Sequence, residues 1–185
     1  MNTIGTAIDE AVQAVKQGGL LVYPTEAIYG LGGDYQQAEV VAKILNLKQR
    51  PDNQGLILVA GHIQHILPLI EPVSGDHLAS ALATWPGHTT WVFPASPAVP
   101  KGVKGPGNTV AVRLSDHPVV VDICCQLDHA LISTSANKRG QTTPTDIKTL
   151  VQQWSADVAY FLDLPLGQSD QPSEIRVAED RQKLR

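Results

Sequence analysis

Apolar residues along this chain recur at two different spacings. Ile8, Ala11, Val12 and Val15 repeat at helical intervals, and Gly18-Gly19 end the run. "LLVYP", 20–24, then forms an unbroken apolar stretch, which predicts a buried strand. Helical spacing returns over 37–47, and "LILVA", 56–60, predicts a second buried strand. Leu78, Ala81, Leu82 and Trp85 form another helical stripe. "TTWVF", 89–93, and "TVAVRL", 109–114, predict strands, and the Pro- and Gly-rich segment between them predicts a loop. Asp116 is placed to cap a helix over 117–127. "ALIS", 130–133, predicts a strand. Thr145 is placed to cap a helix with Ile147, Leu150, Val151 and Trp154 on one face, and "VAYFL", 158–162, closes the regular part.

Buried strands alternating with helices predict an α/β fold with a largely parallel or mixed sheet. A length of 185 residues suits one domain with a substantial core. Ligands of such sheets bind beyond the strand ends, where loops meet. Polar groups gather there in this sequence: Thr25 and Glu26 after "LLVYP", Arg113 near the end of "TVAVRL", and Ser133, Thr134 and Ser135 at the end of "ALIS". A turn or cap accounts for any one of these. Together they predict one site.

Composition narrows the partners. A net charge of −4 argues against a surface coated with cations for nucleic acid. The cations are locally concentrated, with six from Lys43 to Arg113 against three anions, which fits a local anion site. There is no apolar run of membrane-helix length and no signal-peptide pattern at the N-terminus. Adjacent Cys124 and Cys125 are poorly placed for a disulfide and predict two buried thiols, so a cytoplasmic setting is expected.

In "KQRP", 48–51, Lys48 and Arg50 stand at the end of a helix that Pro51 must break. Cations there complement the helix dipole, and they also reach a phosphate, the arginine as a planar fork and the lysine as a point charge. Arg113 lies in a strand with little other charge, so it must be paired or sit at the strand's mouth. A ligand carboxylate suits its fork, and a salt bridge to Glu26 competes with that role. Ser133, Thr134, Ser135 and Asn137 are short hydrogen-bonding groups, flanked by Lys138, Arg139 and Gly140, and suit ribose and phosphate oxygens. There is no P-loop, no dinucleotide fingerprint in "GLGGDY", no zinc spacing and no nucleophile elbow.

These segments resemble the TsaC/YrdC family of threonylcarbamoyl-AMP synthases. The resemblance rests on "YPTEAIYGLGGD" (23–34), "LKQRPDNQGLILVA" (47–60), "WPGHTTWVFPA" (85–95), "TVAVRLSDHP" (109–118), "LISTSANKRGQTTP" (131–144) and "PSEIR" (172–176), in the family's order. The family's K-x-R and S-x-N pairs are Lys48/Arg50 and Ser135/Asn137 here. The resemblance implies a YrdC-like α/β domain over 1–185, with a twisted sheet flanked by helices and a positive concave cleft. It implies that L-threonine, bicarbonate or CO2, and ATP give threonylcarbamoyl-adenylate and pyrophosphate. The product would feed a partner complex that makes N6-threonylcarbamoyladenosine (t6A) in tRNA. By resemblance, Thr25, Arg113 and Ser133 hold threonine, and Lys48, Arg50, Thr109, Ser135, Asn137 and Thr143 hold ATP. Lys48 and Arg50 would also neutralise phosphate charge in the reaction, with Mg²⁺ accompanying ATP and no clear protein ligand for it. Three residues depart from the family's usual pattern: His88 and Gly55 stand where proline is common, and Arg139 where serine is common. They leave open which loop closes over the substrates.

Two other readings use the same cleft. A non-catalytic RNA-binding module acting in ribosome or rRNA maturation predicts steeply salt-dependent binding. The net charge and an aromatic content of 5% weigh against it. A carbamoyl-adenylating role in metallocentre maturation ranks last, because that domain usually sits in a much longer chain.

Overall fold

The computed structural model describes residues 3–169 and 171–184, the side chain of Asp52 excepted. The first elements are β1 (Thr3–Gly5), α1 (Ile8–Lys16), β2 (Leu20–Pro24), β3 (Tyr29–Gly32), α2 (Ala38–Leu47) and β4 (Ile57–Ala60). There follow α3 (Gly75–Leu82), β5 (Thr89–Pro94), β6 (Thr109–Leu114) and α4 (Pro118–Leu127). The chain closes with β7 (Leu131–Ile132), β8 (Thr134–Ser135), α5 (Ile147–Trp154), β9 (Val158–Leu162) and β10 (Glu174–Val177). Short 3₁₀ turns punctuate residues 52–69.

The strands form two sheets rather than the one expected. The first has the order β1-β9-β2-β3-β8 and the second β10-β5-β6-β4-β7. Both are mixed: β2 is parallel to β9 and antiparallel to β3, and β6 is parallel to β4 and antiparallel to β5. The sheets separate where one short strand is shared out between them. β7 pairs with β4 in the second sheet, and two residues later β8 pairs with β3 in the first.

The apolar runs explain the core. Leu20, Leu21, Val22 and Tyr23 of β2 are fully buried, as expected for a strand covered on both faces. On one side, Ala11, Val12 and Val15 of α1 pack with Val119, Val120, Ile123 and Cys124 of α4 against Leu21, Val59 and Leu131. That cluster bridges strands of both sheets. A larger cluster joins α2, through Val40, Val41 and Ile44, to Leu58, Phe93, Val112 and Phe161. Truncating a fully buried leucine such as Leu21 to alanine is expected to cost about 2–5 kcal/mol.

Several local expectations need correction. Pro118 takes the first helical position of α4, so the cap falls on His117 rather than Asp116. α5 is capped by Asp146, whose carboxylate accepts from the Thr149 amide at 2.8 Å, not by Thr145. α3 ends at Leu82, ahead of Trp85, whose successor Pro86 disfavours helix. Of the two thiols, Cys124 is buried and Cys125 exposed; burial pushes the Cys124 thiol up to about 12. No described helix is long and apolar enough to cross a membrane.

Candidate active site

The hydroxyl triplet stands where the chain changes sheets. The Ile132 amide donates to Gly33 O at 3.0 Å, and the Ser133 amide donates to Ile57 O at 2.8 Å. Thr134 and Ser135 then pair with Leu31 and Gly30. The crossing needs close backbone approach: a Cβ on Gly32 would lie 2.1 Å from Ile132 O. Residues of both sheets and their loops line a cleft of about 510 Å³ beside this point. That volume suits a small-molecule site.

Of the residues expected to bind, Thr25, Arg50, Arg113, Ser133, Ser135, Asn137 and Thr143 all line this cleft. No aspartate or glutamate does so among the described residues. Lys48 and Thr109 do not line it. The Thr109 hydroxyl donates to Pro106 O at 2.8 Å, in the loop before β6.

At one end, β6 delivers Arg113, which is 6% exposed. Its Nη2 lies 3.1 Å from Glu26 Oε2, so the competing salt bridge is formed. Ser115 Oγ donates to the other oxygen of Glu26 at 2.5 Å. Arg113 Nη1 donates to His88 Nδ1 at 3.4 Å. Its Nε has no hydrogen-bond partner among the described residues. A buried guanidinium N–H left unpaired is costly, and Arg113 lines the cleft, where a guanidinium suits a carboxylate. Beside it, Thr25 Oγ1 donates to Ile28 O at 2.7 Å, and its oxygen is still able to accept.

At the other end, Lys48 stands just past the end of α2 and reaches behind the cleft wall. Its Nζ donates to Ser135 O at 2.8 Å, Asn137 O at 2.5 Å and Asn137 Oδ1 at 2.9 Å. An ammonium has three donors, and all three are engaged. Burial, reinforced by Arg50, lowers the Lys48 pKa from 10.5 to about 8. Ser135 Oγ also donates to Asn137 Oδ1, at 2.5 Å, and Asn137 Nδ2 donates to Gln141 O. Arg50 Nη2 donates to Gln54 O at 3.1 Å. Arg139 Nη1 donates to Gln49 O at 2.9 Å and ties the two loops together. From beneath, Trp154 of α5 donates its indole N–H to Ala136 O at 2.6 Å, and the Ala136 amide donates to Tyr29 O at 2.9 Å. The loop is thus anchored by a helix and a strand.

Gly55 shows why proline does not stand at that position. Its φ is +67°, which a proline ring cannot adopt.

The structure adds lining residues that the sequence reading did not assign: Ile28, His88, Gln141, Thr142, Pro172 and Ser173. His88 was visible only as a departure, and "PSEIR" only as a matching segment. The pairing of β10 with β5 brings Pro172 and Ser173 to the cleft.

The cleft's donors do not form a metal centre. Glu26 is engaged by Arg113 and Ser115, and no group of three His, Cys, Asp or Glu residues suited to a metal occurs among the described residues.

The comparisons agree with this architecture. The family model Sua5_yciO_yrdC, described as "Telomere recombination", matches residues 13–185. A threonylcarbamoyl-AMP synthase of Vibrio vulnificus is 40% identical over 180 residues, covering 96% of this chain and 97% of the relative. One of Coxiella burnetii is 38% identical over 185 residues, covering both chains in full. The crystal structure of P. abyssi Sua5 complexed with L-threonine superposes with a TM-score of 0.84 at 25% identity. It covers 96% of this chain, which spans about half (53%) of that longer protein. The chain belongs to the Sua5/YciO/YrdC family.

Proposed function

We propose that this protein is a threonylcarbamoyl-AMP synthase. It joins L-threonine, bicarbonate or CO2, and ATP, and releases pyrophosphate. The product supplies a tRNA threonylcarbamoyl-transferase complex in the cytoplasm for t6A. The observation that carries this reading is the single cleft that brings an arginine suited to a carboxylate together with Arg50, Ser135 and Asn137. The relatives named for this reaction, and the threonine-bound structure of P. abyssi Sua5, support it. Core clusters spanning both sheets support treating 1–185 as one catalytic unit.

In the reaction, Arg113, which lines the cleft, receives the threonine carboxylate while Glu26 holds the guanidinium in place. Thr25 and Ser133 hydrogen-bond the remaining polar groups of threonine. Its amine combines with bicarbonate to give a carbamate and water. A carbamate oxygen then attacks the α-phosphorus of ATP, and the bond to the β-phosphate breaks with pyrophosphate leaving. Arg50, Ser135, Asn137 and Thr143 hold the triphosphate and ribose. Thr109, outside the cleft lining, would join them only if its loop moved inward. Lys48 contributes by ordering the Ser135–Asn137 loop and by its charge behind the wall. Catalysis is positioning plus charge neutralisation, and needs no covalent nucleophile.

Supplying ATP, L-threonine and isotope-labelled bicarbonate, then recording the adenylate by mass spectrometry, tests this reading. The product should gain the bicarbonate label; an unlabelled adenylate, or none, would overturn it.

A further inference from the structure

Arg113 is held at two of its three nitrogens, and the second holder is a residue with no assigned role. Glu26 takes Nη2 and His88 takes Nη1, at 3.1 Å and 3.4 Å. A guanidinium only donates, so His88 Nδ1 is the bare nitrogen and the ring proton sits on Nε2. That Nε2–H donates to Gln171 O at 2.5 Å. The ring therefore bridges Arg113 to the segment that carries Pro172 and Ser173 into the cleft wall.

The backbone on either side holds the ring in this bridge. The Gly87 amide donates to Leu114 O at 2.8 Å, next to Arg113, and the Glu174 amide donates to His88 O at 3.2 Å, at the start of β10. Beyond the bridge, Thr90 and Ser173 hydroxyls meet at 3.1 Å in a buried contact.

We infer that His88 is a positioning residue that fastens the 171–173 segment to Arg113 and thereby sets the affinity of the cleft for its amino acid. This rests on the reading given under Proposed function. With both Nη atoms held, the guanidinium plane is fixed where Arg113 lines the cleft. Without His88, Nη1 loses its acceptor and the plane turns about Glu26. The wall formed by Pro172 and Ser173 loses its side-chain link to Arg113 at the same time, and keeps the Thr90–Ser173 contact and the backbone bond from Glu174 to His88 O.

The two bonds are separable by substitution. In His88→Asn, the amide oxygen stands near the former Nδ1 and still accepts from Arg113, but the side chain no longer reaches Gln171, whose carbonyl keeps the Ser169 hydroxyl as donor. In His88→Gln, the amide nitrogen reaches towards Gln171 O, but nothing accepts from Arg113 Nη1. Pyrophosphate release gives kcat and KM for threonine and ATP separately. Amide hydrogen exchange over 171–174 reports the tie without requiring turnover.

His88→Ala should raise the threonine KM about tenfold, with kcat and the ATP KM within about twofold of wild type. His88→Asn should restore most of the threonine KM while exchange over 171–174 stays fast. His88→Gln should do the reverse. Unchanged threonine KM in His88→Ala, or an equal rise for threonine and ATP, would overturn the inference. If His88→Ala melts early, the other two decide: equal effects of Asn and Gln on both readouts mean a merely structural residue and overturn it. Failure of wild type to release pyrophosphate would instead defeat the functional reading, and the exchange measurement would still judge the tie.

Discussion

Lys48 Nζ donates to Asn137 Oδ1 at 2.9 Å, joining two residues 89 positions apart. The K-x-R turn and the S-x-N loop are therefore one physical unit, since the same ammonium also holds the carbonyls of Ser135 and Asn137. Lys48→Ala removes the donor to three acceptors at once. We expect the ATP KM to rise at least about tenfold, and kcat to fall with it. Steady-state kinetics with ATP varied would check this, and unchanged constants would return Lys48 to a plain helix-end cation.

The lowered Lys48 pKa makes two predictions of opposite sign. Burial disfavours the charged form, so Lys48 loses its proton at about 8 in the folded chain, against 10.5 as its ordinary value. The unfolded chain binds more protons between those values. The stability term from Lys48 is thus fully present above the ordinary value and is lost as pH falls through about 8. Nucleotide binding needs the cation, so kcat/KM for ATP should decline as pH rises through about 8. A pH profile of kcat/KM, with kcat/KM for threonine in parallel, checks the sign.

Arg113 and Glu26 are both nearly buried, with side chains 7% and 9% exposed. Arg113→Ala should raise the threonine KM about 10- to 100-fold and leave the ATP KM nearly unchanged. Glu26→Ala leaves a buried guanidinium without its counter-charge and should cost about 3–5 kcal/mol of stability. Denaturant unfolding of Glu26→Ala against wild type measures that loss.

Trp154 supports the site from below. Trp154→Phe keeps the apolar ring and deletes the N–H that donates to Ala136 O, leaving a buried carbonyl unpaired. The expected cost is about 1–3 kcal/mol, with a moderate rise in the ATP KM as the 135–137 loop loosens. Chemical denaturation and ATP-dependent kinetics on the same preparation test both parts.

The parts of the fold legible beforehand are those with unbroken apolar runs. "TVAVRL" and "VAYFL" match β6 and β9 residue for residue, because a largely buried strand has little freedom in its composition. β3 was missed because "YGLG" looks like a turn; Gly32 is there to let Ile132 O approach. β10 was missed because "EIRV" is only half buried and pairs at an edge. The division of residues 131–135 between two sheets depends on partners about 70 residues upstream for β7 and about 100 for β8, which no local pattern encodes. The site was legible as a set of strand ends carrying hydroxyls and cations. The pairing of Arg113 with Glu26 was one of two alternatives legible in the sequence, and geometry decides for it; the occupancy of Lys48 and the contacts of His88 with Arg113 and Gln171 are relationships across the fold that only geometry reveals.

The most direct test of the central claim is pyrophosphate release from ATP by purified wild-type protein, with and without L-threonine and bicarbonate, and with L-serine as control. Release that requires both co-substrates and favours threonine over serine is the predicted result. Release independent of threonine, or no release together with RNA binding that fades as salt rises, would contradict the account.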